Sequence, residues 1–277
     1  MARETVEFLR VTDQILTISS VPLALAGLRI CVLSSDRQSG AFSAYGRLRP
    51  FWTSLQSMRT EHELSFFVVA GSLSIGDALA GRGSFVTIAA GGLLPPMQTS
   101  DGAAFFLFSD GPFMLEVAPE RVSSVASHWV RTDELPWEPS PSFEGRDASE
   151  VAAGLSVKWL ERESESGTYT LLTRHAPGWR DPRIEQHECW EELLLLQGDY
   201  LMGTTGAVRG GDYIFRASQL PHGPQCTRGG AVWFCRGNKQ IDFQYSNAPW
   251  ADAAIDRYLE RAPDGQSDCH PWGNWAV

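Results

Sequence analysis

Two stretches of the chain, 127 residues apart, spell the same pattern, and this repeat restricts the fold more than any other feature. LSSDRQSGAFSAYGRLRPFW, from Leu33, aligns without gaps with LERESESGTYTLLTRHAPGW, from Leu160. Ser39 falls on Ser166, Gly40 on Gly167, Arg47 on Arg174, Pro50 on Pro177 and Trp52 on Trp179. The same register carries Gly71 onto Gly198, so FFVVAG matches LLLLQG. After one inserted residue, Gly83 falls on Gly211 and DGAAFF on GGAVWF. Glycine recurring on glycine at each turn marks two copies of one structural unit.

Each copy reads as strands. The apolar runs are short, rich in Val, Ile, Phe, Tyr, Thr and Trp, and bounded by Gly, Ser, Asp and Pro. RQSGAF and SESGTY read as hairpin turns that need a glycine at positive φ. Many short antiparallel strands with regular turns imply a barrel or jelly roll. The expected organisation is an all-β chain with a first barrel over 1–130, a linker over 131–150 that is polar and rich in Pro and Ser, and a second barrel with a C-terminal tail over 151–277. Short helices are expected in ETVEFLRVTDQIL and APWADAAIDRYLERA. The runs LLLL and FFVV do not alternate, so both faces of those strands are expected to be covered. The cover would be the other copy or a second subunit, and a homodimer is one of the expected arrangements.

Residues Glu185, His187, Cys189 and Glu191 share one parity and, on a regular strand, point into the barrel together. A second strand, from Gly211 through Tyr213 and Phe215, leads to a turn that presents His222. His187, Glu191 and His222 thus form a set of two imidazoles and one carboxylate. Such a set suits iron(II), manganese, zinc, nickel or copper and leaves positions open.

These residues resemble the metal-binding motifs of the cupins, specifically two-domain cupins of the ChrR-like kind. The first cupin motif, G-x5-H-x-H-x3,4-E-x6-G, is matched in spacing from His187 through Glu191 to Gly198, with Gly178 one residue too early and Glu185 in place of the first histidine. The second motif, G-x5-P-x-G-x2-H-x3-N, is matched at Gly211 and His222. Ala217 and Gln219 replace its proline and glycine, and Cys226 its asparagine. The resemblance implies two tandem cupin barrels and one divalent metal held by His187, Glu191 and His222. Glu185 is either a fourth ligand, the reading we favour on position and parity, or turned away. Iron(II) is the favoured ion; zinc, manganese and nickel fit the same donors. In the first copy the register puts Met58, Thr60, Leu64 and Leu94 at the four positions, so no metal is expected there. His62, off the register by two, reads as a surface histidine.

Around the site, Cys189 and Cys226 read as small buried residues, and Trp179, Tyr213, Phe215 and Trp233 as barrel-lining core. His175 and Arg174 read as neighbours of the site within reach of a substrate, with Arg174 structural because Arg47 matches it. Cys269 and His270 are loose candidate ligands in a docking tail. There is no G-x-S-x-G elbow, P-loop or dinucleotide fingerprint.

The resemblance implies a metal-dependent enzyme acting on a small-molecule substrate, with a dioxygenase or other oxidoreductase favoured. The alternatives are a non-oxidative lyase or isomerase, and a zinc-binding sensor module of the ChrR kind without catalysis. A net charge of -10 argues against nucleic acid and anionic membranes as partners. The apolar stretch ILTISSVPLALAGLRICVL is broken by Pro22 and Arg29 and reads as strand rather than membrane span. Five cysteines at irregular spacing and no signal-like N-terminus lead to a cytoplasmic expectation.

Overall fold

The computed structural model describes residues 3–16, 25–119, 128–140, 153–203, 206–261 and 271–275. Strand bounds follow the repeat. Strands β1 (Val6–Arg10), β2 (Arg29–Ser35), β3 (Phe42–Leu48), β4 (Leu64–Ile75), β5 (Ser84–Ile88), β6 (Ala103–Ser109) and β7 (His128–Arg131) precede β8 (Leu155–Arg162), β9 (Tyr169–His175), β10 (Arg183–Gln186), β11 (Glu191–Met202), β12 (Asp212–Arg216), β13 (Ala231–Gly237) and β14 (Gln244–Asn247). Strands β3, β4, β5 and β6 occupy the positions that the aligned register assigns to β9, β11, β12 and β13, end for end. Among the described residues one α-helix, α1, spans Ala251–Glu260, where the sequence predicts it.

The chain divides into two compact units: Met1–Glu4 with Asp13–Glu134, and Thr5–Thr12 with Leu135–Val277. The first unit orders its main sheet β7-β5-β4-β6-β3-β2, all antiparallel. The second orders it β1-β12-β11-β13-β9-β8. The two differ in how the edge is closed. β7, from the end of the first copy, flanks β5, whereas β1, from the start of the chain, flanks β12.

Two expectations are corrected here. Residues 4–16 form no α-helix, only a single 3-10 turn at Val11–Asp13 after the strand, and residues 5–12 do not belong to the first barrel. Val6, Phe8 and Leu9 suit a half-buried strand, and Arg10 and Glu7 meet partners on β12. Arg10 grips Asp212 through two nitrogens, at 2.8 and 3.0 Å, and Glu7 lies 3.2 Å from Arg216. Of the expected linker, Glu138–Pro139 pairs with β8, and 141–150 lie outside the described residues.

Turn chemistry is conserved between the units for a physical reason. A Cβ at Gly71 would run into the carbonyl oxygen of Gly102, and one at Gly198 into that of Gly230; both glycines sit at positive φ. Only glycine tolerates this conformation together with so close a backbone approach. The first barrel is filled with apolar side chains, among them Met58, Leu64, Phe66, Phe105 and Leu94. The second packs Leu193, Leu195, Ile214, Trp179, Tyr200 and Trp233 inward. Leu193 to Leu196 are all buried, so both faces of that run are covered, as the absence of alternation predicts. Tyr213 and Phe215 are buried, but Ile214 between them is the residue that joins the inner core. Helix α1 docks Ile255, Tyr258 and Leu259 onto Leu201 and Cys226, with the Tyr258 hydroxyl donating to Asp199 at 2.5 Å.

A candidate metal centre

The site lies where β10 breaks before β11. β10 ends at Gln186, and His187 to Trp190 bend the chain into β11, whose first residue is Glu191. The loop after β12 is laced to this bend. Glu185 and His222 exchange backbone hydrogen bonds of 2.8 and 2.9 Å, and the Gln219 N–H donates to the His187 carbonyl at 2.8 Å. Fixed backbone on both sides therefore aims His187 and His222 at each other, with ring centroids 5.2 Å apart.

Three potential ligand atoms converge. Glu191 Oε2 lies 3.7 Å from His187 Nε2 and 3.8 Å from His222 Nε2. The donor atoms of His187, Glu191 and His222 are all within 4.8 Å of one another. Both imidazoles are buried; His187 Nε2 makes no well-formed hydrogen bond among the described residues, and His222 Nε2 has only carboxylate oxygens near it. Their Nδ1 atoms instead face backbone carbonyls, that of Cys189 for His187 and that of Leu220 for His222, each at 2.9 Å. A carbonyl can only accept, so each Nδ1 carries a proton, and each Nε2 is the atom that faces the cluster and offers a lone pair once its own proton has left. That is the arrangement by which outer hydrogen bonds orient histidine ligands. The residues therefore fit a divalent cation.

Glu185 stands beside this three-way set. Its Oε1 is 2.9 Å from His222 Nε2 and accepts a 2.6 Å hydrogen bond from Gln225 Nε2. Burial alone would raise its carboxyl, but the His222 hydrogen bond, the two imidazole charges and Gln225 outweigh it and hold the pKa at about 2. Glu191 is likewise lowered: burial opposes this, and His187 and His222 prevail. His187 is pushed up to about 11, because its bonds to Cys189 and Glu191 overcome the cost of burying its charge. A metal-free site thus holds a proton where a cation belongs.

The cluster opens on a cavity of about 100 Å3. Its walls include Leu171, Leu193, Trp179, Trp233, Ile241 and Phe243, and no Lys or Arg side chain lines it among the described residues. Sequence reasoning missed a polar chain along one wall. The Tyr200 hydroxyl donates to Gln225 Oε1 at 2.7 Å and lies 3.2 Å from His175 Nε2. Gln225 stands three residues past His222, and Tyr200 and His175 share the inward parity of their strands, so the signal was present but carried no motif.

The remaining candidates fall away from the ligand cluster. Cys189 is buried with Sγ 3.1 Å from His187 Nδ1, on the outer side of that ring. Cys226 packs under helix α1. Arg174 reaches Ser156 and stacks on Trp137 rather than entering the cavity. Cys269 and His270 lie outside the described residues. In the first unit, Met58 pairs with Leu94 as Glu185 pairs with His222, and Met58, Thr60, Leu64 and Leu94 are all buried. His62 is a third exposed and lies 3.7 Å from Asp110.

Fold and site together define an all-β protein of cupin type with a candidate divalent-metal centre. Residues 125–240 match the family model described as a ChrR cupin-like domain. Among solved structures, a candidate dioxygenase from Nostoc punctiforme is similar at a TM-score of 0.72 and 17% identity, over 87% of this chain and 86% of its own. Protein Ylba from E. coli is similar at 0.57 and 12% identity, over 85% and 92%. A mutant of Bacillus subtilis oxalate decarboxylase is similar at 0.56 and 12% identity, over 95% and 86%. At these identities the likeness is one of fold. No curated protein matches the chain.

Proposed function

We propose that the second unit is a metal-dependent oxidoreductase of dioxygenase type, acting on a small neutral organic molecule. The observation that carries this is the convergence of two buried Nε2 atoms on the Glu191 carboxylate, with Glu191 and His222 at the wall of a largely apolar cavity. When bound, the metal, iron(II) by preference, supplies Lewis acidity and open positions for oxygen or a chelating enolate or catechol. The protein's own residues do the rest. Carbonyls of Cys189 and Leu220 hold the imidazoles in one tautomer. Gln225 keeps Glu185 oriented and ionised beside His222, within reach as a further ligand or as a proton acceptor. Trp179, Trp233, Ile241 and Phe243 exclude water from the bound molecule.

The wall chemistry separates this from decarboxylation of a small diacid. Asp181, Glu185 and Glu191 line the cavity with no Lys or Arg to offset an anionic substrate. Asp181 is already paired with Arg183 at 2.7 Å. A neutral substrate that becomes anionic only on chelating the metal suits such walls. The second reading, a zinc-holding module without turnover, draws on the match to the ChrR cupin-like domain.

The test is metal content of protein purified without added metal, with oxygen uptake on a panel of β-diketones and catechols. Iron at about one per chain with turnover supports the enzyme. Tightly held zinc without turnover supports the second reading.

A further inference from the structure

We infer that one outer face of the first unit is the surface on which two copies of this chain associate, through Phe51, Leu55 and Leu79.

Three of the four most exposed large apolar side chains among the described residues lie on this face: Phe51 is 86% exposed, Leu55 74% and Leu79 62%. Phe51, Thr53 and Leu55 are exposed, while Trp52 and Ser54 between them are buried. Thr53 pairs with Gln98, Gln98 with Ser74 on β4, and Ser74 with Leu79. Residues directly opposite on neighbouring strands share a face, so these four form one row, and it holds no charged side chain. Leu79 stands at one end of the row, Phe51 and Leu55 flank the other, and Ser74 and Gln98 floor the trough between. Three strand spacings set its walls about 14 Å apart.

The second unit covers the same face in another way. Its equivalent row is Arg180, Cys226, Leu201 and Ala207. Helix α1 packs Ile255 and Tyr258 onto Leu201 and Cys226. Arg180 latches that helix through Asp252 at 2.8 Å and Asp256 at 3.2 Å. In the first unit Thr53 stands in place of Arg180, so the row offers no cation to hold such a helix. The turn before the row differs as well. Gly178, at φ +78°, and Phe51, at φ +59°, occupy one position of the repeat. Their N–H groups make the same bond, Gly178 to the Arg228 carbonyl at 3.1 Å and Phe51 to the Ser100 carbonyl at 3.2 Å. Phenylalanine is strained at positive φ where glycine is not. Phe51 therefore destabilises the free chain twice, by backbone strain and by exposed apolar surface. Association removes the second cost.

An uncharged apolar face without a helix latch suits its own copy. A two-fold contact sets Phe51 and Leu55 of each copy into the trough of the other. Beside each end the chain carries one exposed cation and one exposed anion, Arg49 and Asp101 by Phe51, Arg82 and Asp77 by Leu79. Two chains that each bear a net charge of -10 thus meet here without local repulsion.

The test is sedimentation equilibrium of the full-length protein over about 1 to 100 µM, where mass action resolves association of moderate strength. Wild type reaches the mass of two chains at the upper concentrations. Phe51→Gly with Leu55→Ser raises the dissociation constant at least about a hundredfold, as loss of two central anchors does. Leu79→Ser, on another strand, weakens association too, and Met114→Ser, half exposed but outside the row, leaves it unchanged. Diluted to monomers, Phe51→Gly melts no earlier than wild type, because glycine relieves the turn, so loss of the dimer is not loss of the fold. A wild type that stays monomeric overturns the inference. So does a dimer whose dissociation constant is the same in wild type, in Phe51→Gly with Leu55→Ser, and in Leu79→Ser.

Discussion

At the scale of single residues, the metal centre depends on two imidazoles whose protons are placed by backbone carbonyls. His187→Ala or His222→Ala removes a donor and should lower metal affinity at least about a hundredfold, beyond the range seen when only a supporting residue is lost. Glu185→Gln should cost less, about tenfold or under, since Glu185 lies outside the three-way set and Gln225 still holds it. Equilibrium dialysis of the three variants checks both, and a Glu185→Gln loss as large as that of His222→Ala would make Glu185 a full ligand. The pH dependence follows from His187. Its raised pKa means a proton must leave for a metal to enter. Affinity should therefore rise with pH, by up to about tenfold per unit between roughly pH 6 and 8, with about one proton released per ion. For the metal-free protein the sign is opposite. Stability from the charged His187 is present below its unfolded pKa and fades as pH rises through its folded one. The increase in Tm on adding metal should thus grow with pH, and calorimetry in buffers of different ionisation enthalpy counts the protons.

His187, Glu191 and His222 were legible in the sequence because their spacing is set by strand geometry. His175 was legible as a neighbour of the site, and it lines the cavity; Gln225 and Tyr200 were not, since each is an ordinary residue until a neighbouring strand gives it a partner. The parity argument for Glu185 to Glu191 held only in part, because the chain bends after Gln186 and turns Cys189 to the outer side of His187.

At the scale of elements, the repeat foretold strand bounds across both units, since glycine positions are dictated by backbone contact and persist where side chains change. Gly198→Ala should destabilise the second unit by at least about 2 kcal/mol through strain at positive φ together with the collision at Gly230. Gly71→Ala should do the same to the first. Urea unfolding measures both, and a change under about 0.5 kcal/mol would mean the backbone yields there. The N-terminal strand was misread because the sequence shows which residues can form a strand but not which sheet edge lacks a neighbour. Removing residues 1–12 strips Asp212 of Arg10 and Arg216 of Glu7. Loss of partners for buried charges costs about 3–5 kcal/mol. The deletion should therefore open β12 to hydrogen exchange, and unchanged protection there would show that β1 contributes little.

At the scale of the whole molecule, two units share one strand plan, and among the described residues the second carries the candidate metal site. Where the second unit has Glu185, His187, Glu191 and His222, the first has Met58, Thr60, Leu64 and Leu94, all of them buried. No helix among the described residues is long and apolar enough to cross a membrane. The leucine run is already buried within one chain, so it calls for no second subunit; a homodimer is a separate proposal, tested by mass in solution. The central claim, that one metal is held by His187, Glu191 and His222, is tested most directly by elemental analysis of wild type beside the His187→Ala, His222→Ala double variant. We predict about one transition-metal ion per chain in the wild type and less than about a tenth of that in the variant. Equal metal in both, or two ions per chain in the wild type, would contradict it.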